Sequence, residues 1–148
     1  MKKIKILDKS WIERIFEIEK KSFSSPWTKR FFLNLFDEEN VFVYGFFLNK
    51  DLIGFSVIEY LINYSIAHLQ NFAINPEYQN KGFGSYFLSL MHENFKKNKI
   101  YKIFLEVRVT NYKAINLYEK FNYKTINTLS DYYENNEDAY RMWFNLEN

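Results

Sequence analysis

The chain has 148 residues, of which 47% are hydrophobic and 21% aromatic, so it is long and apolar enough to fold around one sizeable core as a single domain, residues 1–148. The formal net charge is only +2 and basic residues are interleaved with acidic ones, which argues against direct binding of nucleic acid. The chain contains no cysteine, which excludes disulfides, thiolate metal sites and a cysteine nucleophile.

The two histidines and the N-terminal sequence bear on metal binding and on cellular location. The two histidines, His68 and His92, are isolated in the sequence, so we interpret both as structural and expect no metal. The N-terminus lacks the apolar run of a signal peptide, and no window approaches eighteen consecutive apolar residues. We therefore expect a cytoplasmic protein without membrane contact, and we expect it to be a monomer or a weak dimer.

The first half of the chain predicts a short strand, two helices and a three-stranded antiparallel meander. Asp8 or Ser10 is a suitable N-cap for the first helix, whose apolar residues recur at helical spacing. Polar turns then separate three apolar runs that are rich in β-branched and aromatic residues. In chain order the elements are a strand at 3–7, helices at 11–22 and 28–36, and strands at 41–48, 52–61 and 66–74.

The second half alternates helices and strands. Pro76 ends the last strand of the meander because proline has no N–H to donate to a neighbouring strand. Apolar residues at three- and four-residue spacing predict a helix that begins after Gly82. The predicted elements are a helix at 83–98, a strand at 100–107, a helix at 113–121, and strands at 123–128 and 139–146. Strands on both sides of a central helix indicate a mixed α/β layer fold.

A glycine-flanked turn between a strand and a helix is the first candidate site. Gly82 and Gly84 let the backbone approach a ligand closely, and the N–H groups at a helix N-terminus attract an anion such as a pyrophosphate. Lys81 adds a positive charge. The dinucleotide fingerprint would need a third glycine where Phe87 stands, and no Gly-Lys-Ser/Thr follows as in a P-loop. The residues alone leave two interpretations open, an anion-binding turn or merely a tight loop.

Two longer segments resemble one enzyme family. The run from Asn75 to Gly84, preceded by a strand and followed by an amphipathic helix, resembles the acetyl-CoA motif Gln/Arg-x-x-Gly-x-Gly/Ala of the GCN5-related N-acetyltransferases (GNAT). Residues 104–111 and 114–123 resemble the downstream motif of the family. The run Leu-Glu-Val-Arg at 105–108 is similar to the RimI type, the ribosomal-protein-alanine N-acetyltransferases. Three further segments, at 23–27, 131–133 and 137–139, also resemble that subgroup.

The resemblance implies the GNAT fold: a mixed central sheet of six to seven strands with about four helices packed on both faces. In this family strands four and five are splayed for acetyl-CoA. Backbone amides of strand four bind the pantetheine like a missing strand, and one amide lies near the thioester oxygen as an oxyanion donor. Carried over by position, the expected cofactor-binding residues are Phe72, Ala73, Ile74, Gln79, Asn80, Lys81, Gly82, Phe83, Gly84, Ser85 and Asn111.

The resemblance also implies two catalytic residues, Glu106 as general base and Tyr118 as general acid. Strand alternation puts Phe104, Glu106 and Arg108 on one face, so the residues alone favour a solvated ion pair between Glu106 and Arg108. For Tyr118 the alternative is a packed tyrosine in the apolar stripe of its helix. Asn111, seven residues before Tyr118, fits the spacing of the family motif.

The implied reaction moves an acetyl group from acetyl-CoA directly to a protein N-terminal α-amine. The implied acceptor is the N-terminal alanine of a small-subunit ribosomal protein, whose N-terminal segment is the expected partner. Two alternatives are a GNAT enzyme that acetylates a small-molecule amine or a lysine, and a non-catalytic CoA-binding module. Trp27, Tyr132 and Tyr133 either line the peptide groove or pack elsewhere.

Two positions depart from the family pattern. Asn122 stands where the family often has glycine, a replacement that asparagine tolerates if the residue is left-handed. Asn80 replaces a common arginine next to the phosphate-binding turn. Neither departure removes a catalytic group.

Overall fold

The computed structural model describes residues 1–147 and, of Ile62, the backbone alone; Asn148, the last residue of the predicted domain, lies outside the described residues. Its sheet has seven strands, in the order β1-β2-β3-β4-β5-β7-β6. The strands are β1 (Lys2–Leu7), β2 (Val41–Leu48), β3 (Asp51–Leu61), β4 (Ile66–Ile74), β5 (Lys102–Arg108), β6 (Lys124–Leu129) and β7 (Ala139–Asn145). The helices are α1 (Ile12–Ser22), α2 (Lys29–Phe36), α3 (Phe83–Lys97) and α4 (Tyr112–Lys120). This arrangement confirms the expected mixed α/β fold.

The helices cover both faces of the sheet. On one face, α1 and α2 pack Ile15, Ile18 and Phe32 against β2 and β3. On the other face, α3 contributes Phe87 and Met91 to a second apolar core that also contains apolar residues of α4, β5 and β7. Burial of these side chains drives the layers together, since each fully buried large apolar side chain contributes about 1.5–3 kcal/mol. Across residues 1–147, no helix combines the length and the apolar character that crossing a bilayer requires.

The strands β4 and β5 are parallel and separate after four paired residues. Their ladder runs from Ile66, opposite Lys102, to Leu69, opposite Leu105, and ends there. At the same point the pairing of β3 with β4 skips Gln70, which forms a β-bulge. A bulge bends its strand, so β4 follows β3 while it turns away from β5. The expected splay between strands four and five is therefore present.

Asn122 ends the α4 region in the left-handed conformation. Its φ is 72°, the region in which glycine and asparagine are the most favourable residues. The left-handed condition under which asparagine can replace the family's glycine is therefore met.

Candidate active site

The splay between β4 and β5 opens two adjoining cavities. The large cavity, about 720 Å³, lies between the segment 22–31 that joins α1 to α2, the strands β4 and β5, and residues 133–134. The small cavity, about 340 Å³, lies between β4, the 79–85 turn and α4. Five residues line both cavities: Ser22, Phe23, Phe72, Asn111 and Ala114. A ligand that occupies the gap therefore contacts both.

Backbone N–H groups of β4 point alternately toward β3 and into the gap. The N–H of Asn75 donates to the carbonyl oxygen of Ile53 on the β3 side at 2.8 Å. Because alternate residues of a strand present their N–H groups to the same neighbour, the Ala73 amide also faces β3. The amides of Phe72 and Ile74 consequently face the gap. Of the three predicted strand amides, two are thus directed into the gap, and that of Ala73 is not.

The turn before α3 leaves the N-terminus of that helix without a side-chain cap. Gly82 has a φ of +84°, a left-handed conformation that favours glycine. A Cβ added there would meet nothing within 4 Å, so the preference for glycine comes from the backbone conformation and not from a steric clash. Because the N-cap residue Gly82 has no side chain, it leaves the first N–H groups of the fifteen-residue helix α3 free of a side-chain cap. The positive end of this helix therefore faces the small cavity, at Gly84 and Ser85.

Gln79 ties the turn to β4 and to α4. Its Nε2 donates to the carbonyl oxygen of Ile74 at 2.8 Å, and its Oε1 accepts from Nζ of Lys113 at 3.0 Å. Lys113 lines the small cavity, whereas Lys81 is exposed, with its Nζ 5.9 Å from the centre of the Tyr78 ring. The cation beside the small cavity is therefore Lys113, which sequence analysis missed because it lies on a later helix.

Most of the predicted cofactor-binding residues line the small cavity, and Phe83 does not. Phe72, Ala73, Ile74, Gln79, Asn80, Gly82, Gly84, Ser85 and Asn111 line the small cavity. Phe83 instead packs its ring against Phe46 and Tyr78. Asn111 caps α4, since its side-chain oxygen accepts from the N–H of Ala114 at 3.2 Å.

Glu106 lies at the meeting point of three strands. Its Oε2 accepts from Nε of Arg141 on β7 at 2.7 Å, and its Oε1 lies 2.6 Å from Nε2 of His68 on β4. The Glu106 side chain is only 6% exposed. Arg108 binds Glu137 and Asn135 instead, so the alternative of an ion pair between Glu106 and Arg108 is wrong.

The surroundings of Glu106 keep it ionised. Burial raises the pKa of this carboxyl, but the hydrogen bonds from His68 and Arg141 and the positive charge of Arg141 outweigh burial, so the pKa lies below its usual range. An ionised carboxylate only accepts hydrogen bonds, and Nε2 of His68 is therefore the donor. Glu106 thus presents a fixed negative charge in the large cavity.

The sequence predicts a structural role for His68, and the structure places it against Glu106, although it lines neither cavity. Its ring stacks on Phe104 with centroids 4.2 Å apart, because the parallel register puts these two residues side by side. Glu106 lies two residues after Phe104 on the same face of β5, so the same register also brings it close to His68. His92 by contrast is buried away from both cavities, where its Nε2 lies 2.8 Å from the Tyr123 hydroxyl oxygen. Burial lowers the pKa of His92 to about 4.

Tyr118 on α4 lines the large cavity together with Glu106. Its side chain is buried, and burial, with a contribution from Tyr133, raises the pKa of the phenol above its usual value. The hydroxyl therefore stays protonated at neutral pH and is available as a hydrogen-bond donor. Tyr133 and Trp27 line the same cavity, and the Tyr132 hydroxyl reaches Oε1 of Glu106 at 3.5 Å.

A polar cluster on the α1 side of the large cavity was not foreseen. Glu19 is only 2% exposed, and its carboxylate accepts from the Trp27 N–H and from Nδ2 of Asn71, each at 2.9 Å. Burial raises the pKa of Glu19 against the effect of these two bonds. Ser22 lies nearby, and within residues 1–147 its Oγ is the buried side-chain polar atom that lacks a partner.

Comparison with known proteins agrees with this geometry. Residues 12–123 match the model of a family described as the acetyltransferase (GNAT) family. The chain belongs to this family. It is an N-acetyltransferase of the GNAT type, and the splayed strands and the turn before α3 are its GNAT elements.

Three known proteins are similar to this chain over most of its length. A Bacillus subtilis protein named provisionally as a ribosomal protein bS18-alanine N-acetyltransferase is 35% identical over 139 residues, 91% of this chain and 89% of its own length. A Saccharolobus solfataricus N-alpha-acetyltransferase is 37% identical over 114 residues, 76% of this chain and 66% of its own length. The crystal structure of the ribosomal-protein-S18-alanine N-acetyltransferase from Escherichia coli matches with a TM-score of 0.89 at 26% identity, over 99% of this chain and 94% of that one.

Replacement of Arg141 by glutamine should raise the pKa of Glu106, because the positive charge that opposes the effect of burial is lost. The glutamine side chain still offers an N–H donor to the carboxylate. A carbon-detected NMR titration of the Glu106 carboxyl measures this pKa directly. In the wild-type protein the pKa of Glu106 is lower in the folded state than in the unfolded state. Ionised Glu106 therefore stabilises the fold at pH values above the unfolded-state pKa, and this stabilisation is lost as the pH falls through the folded-state pKa. Arg141→Gln should diminish that acid-dependent loss.

Arg108→Gln is the matched control, since Arg108 lies on the same sheet face and binds Glu137 instead of Glu106. It should leave the titration of Glu106 unchanged. An unaltered Glu106 titration in Arg141→Gln would contradict the electrostatic assignment.

Proposed function

We propose that this enzyme transfers an acetyl group from acetyl-CoA to a protein N-terminal α-amine, that of the N-terminal alanine of a small-subunit ribosomal protein. The observation that carries the proposal is the position of ionised Glu106 in the large cavity, which adjoins the small cavity with its anion-binding turn. The names of the Bacillus subtilis and Escherichia coli relatives support the choice of acceptor. A ribosomal substrate in turn implies action in the cytoplasm.

The small cavity and the gap fit acetyl-CoA. The pyrophosphate is assigned to the N–H groups at the start of α3, with Lys113 as a nearby cation. The pantetheine is assigned to the gap, where the amides of Phe72 and Ile74 face it. Ile74 is nearer the turn and lines only the small cavity, whereas Phe72 also lines the large cavity with Glu106. The thioester oxygen is therefore assigned to the Phe72 N–H, as the oxyanion donor.

The chain supplies each group that direct acetyl transfer needs. The amine nitrogen forms a bond to the acetyl carbon, the carbon–sulfur bond breaks, and one proton leaves the amine. Glu106 accepts this proton through a water molecule. Tyr118 is the general acid: its phenol hydrogen-bonds the departing sulfur and gives it a proton, so that CoA leaves as the thiol. The proton taken up by Glu106 restores the phenol through solvent.

The low proton affinity of Glu106 favours an α-amine over lysine. At neutral pH an α-amine with a pKa near 8 is about 10% neutral, whereas a lysine near 10.4 is about 0.04% neutral. The difference of about 2.4 units corresponds to roughly 3.3 kcal/mol of deprotonation cost. The large cavity is lined by three carboxylates, those of Glu19, Glu106 and Glu134, and by one guanidinium, that of Arg108. This balance attracts the ammonium form of the substrate.

A broader range of acceptors, the N-terminal α-amines of proteins in general, is supported by one relative. The name of the Saccharolobus solfataricus relative states an α-amine but no particular residue or protein. Small-molecule amines and lysine are the remaining alternatives within the family. A non-catalytic CoA-binding module is disfavoured, because Glu106, Asn111 and Tyr118 all line the large cavity.

A substrate panel separates these acceptors. The enzyme is incubated with acetyl-CoA and peptides that begin with alanine, serine or methionine, with an internal-lysine peptide whose N-terminus is blocked, and with polyamines. Mass spectrometry detects the added acetyl group. We expect the alanine peptide that copies the ribosomal N-terminus to be modified fastest; acetylation confined to polyamines or lysine would refute the proposed acceptor.

Tyr118→Phe should lower turnover by roughly 10²-fold or more while acetyl-CoA still binds, because the hydrogen bond to the departing sulfur is lost and the ring remains. Tyr112→Phe is the control on the same helix, since Tyr112 is 69% exposed and lines neither cavity. It should keep wild-type turnover. Wild-type turnover in Tyr118→Phe would remove Tyr118 from the mechanism.

A further inference from the structure

The backbone N–H of Phe72 already has a partner. It donates to the side-chain oxygen Oδ1 of the preceding residue, Asn71, at 2.8 Å. It is one of the two amides that face the gap, and the proposed function assigns it to the thioester oxygen. A single N–H makes one strong hydrogen bond, so Asn71 and a thioester oxygen compete for it.

The orientation of the Asn71 side chain is determined by its neighbours. Nδ2 donates to Oε1 of Glu19 at 2.9 Å, and the same carboxylate accepts from the Trp27 N–H. A flipped carboxamide would place its NH₂ group against the Phe72 N–H and its oxygen against the Glu19 carboxylate. Both contacts would be repulsive, so Oδ1 is the atom that faces Phe72.

We propose that Asn71 is a positioning residue whose carboxamide oxygen holds the Phe72 N–H in the free enzyme and yields it to the thioester oxygen of acetyl-CoA. This inference rests on the proposed function, because it assumes that the thioester reaches Phe72. In the free enzyme the contact keeps a half-buried donor satisfied and ordered. An unsatisfied buried donor costs about 1–3 kcal/mol.

The exchange links the two cavities. When Oδ1 leaves Phe72, the Asn71 carboxamide rotates, and its bond from Nδ2 to Glu19 weakens with it. Glu19 holds the Trp27 N–H in the segment 22–31, which forms one wall of the large cavity. The acyl group of the cofactor thereby alters the anchoring of the wall that the acceptor contacts, and CoA without an acyl group does not.

The test compares the dissociation constants of acetyl-CoA and CoA by isothermal titration calorimetry. CoA has no acyl oxygen and does not compete with Asn71, so the ratio of the two constants isolates the contact with Phe72. In Asn71→Ala we expect the affinity for acetyl-CoA relative to CoA to rise about 2- to 10-fold, the equivalent of one net hydrogen bond of roughly 0.5–1.5 kcal/mol.

Gln70→Ala is the matched control, because it removes the neighbouring carboxamide on β4, which lines the large cavity but donates to Glu59 instead of bonding a β4 amide. Alanine keeps the extra backbone residue that forms the bulge. Its affinity ratio should equal that of the wild type. A ratio in Asn71→Ala that is unchanged or lower overturns the inference. If wild-type protein binds neither ligand, the proposed function itself fails, and the two failures are thus distinguished.

A crystal structure of the wild-type complex with acetyl-CoA tests the same point without a variant, in case Asn71→Ala does not fold. We expect Oδ1 of Asn71 to lie beyond hydrogen-bond distance of the Phe72 nitrogen, with the thioester oxygen in its place. A complex in which acetyl-CoA is bound and the contact between Asn71 and Phe72 persists at about its present length contradicts the exchange.

Discussion

One extra residue in β4 determines the geometry of the site. Because Gln70 bulges from the ladder with β3, the strand bends away from β5 and leaves the amides of Phe72 and Ile74 without a strand partner. A buried donor left without a partner costs about 1–3 kcal/mol, and at Phe72 the side chain of Asn71 supplies the partner. This edge of β4 faces the gap, and both cavities lie against it.

The charge cluster at Glu106 depends on the same strand separation. Glu106 stands one residue beyond the last pair of the parallel ladder, so its carboxylate is near the point where the gap opens. His68 from β4 and Arg141 from β7 hold it on either side. The removal of Arg141 is expected to be costly, because the buried carboxylate would lose its compensating charge. The Glu106 carboxylate is therefore a structural link between β4, β5 and β7.

Local patterns were sufficient to predict most elements of the fold. The spacing of apolar residues predicted the helices and strands, and the proposed positions of the cofactor and the base rest on the resemblance of the turn at Gly82 and of the Glu106 strand. Contacts between distant segments could not be predicted. The pairing of His68 with Phe104 depends on the parallel register, and Arg141 reaches Glu106 because β7 inserts between β5 and β6. The bond between Asn71 and Glu19 joins residues 52 positions apart.

The central claim is that the gap beside β4 receives the cofactor through alternate backbone amides. Amide NMR spectra of the wild-type protein, recorded with and without CoA, test it most directly. The account predicts that the Ile74 amide proton shifts strongly when CoA binds, while that of Ala73, which faces β3, shifts far less. Binding of CoA with an unmoved Ile74 amide, or with the larger shift at Ala73, would contradict it.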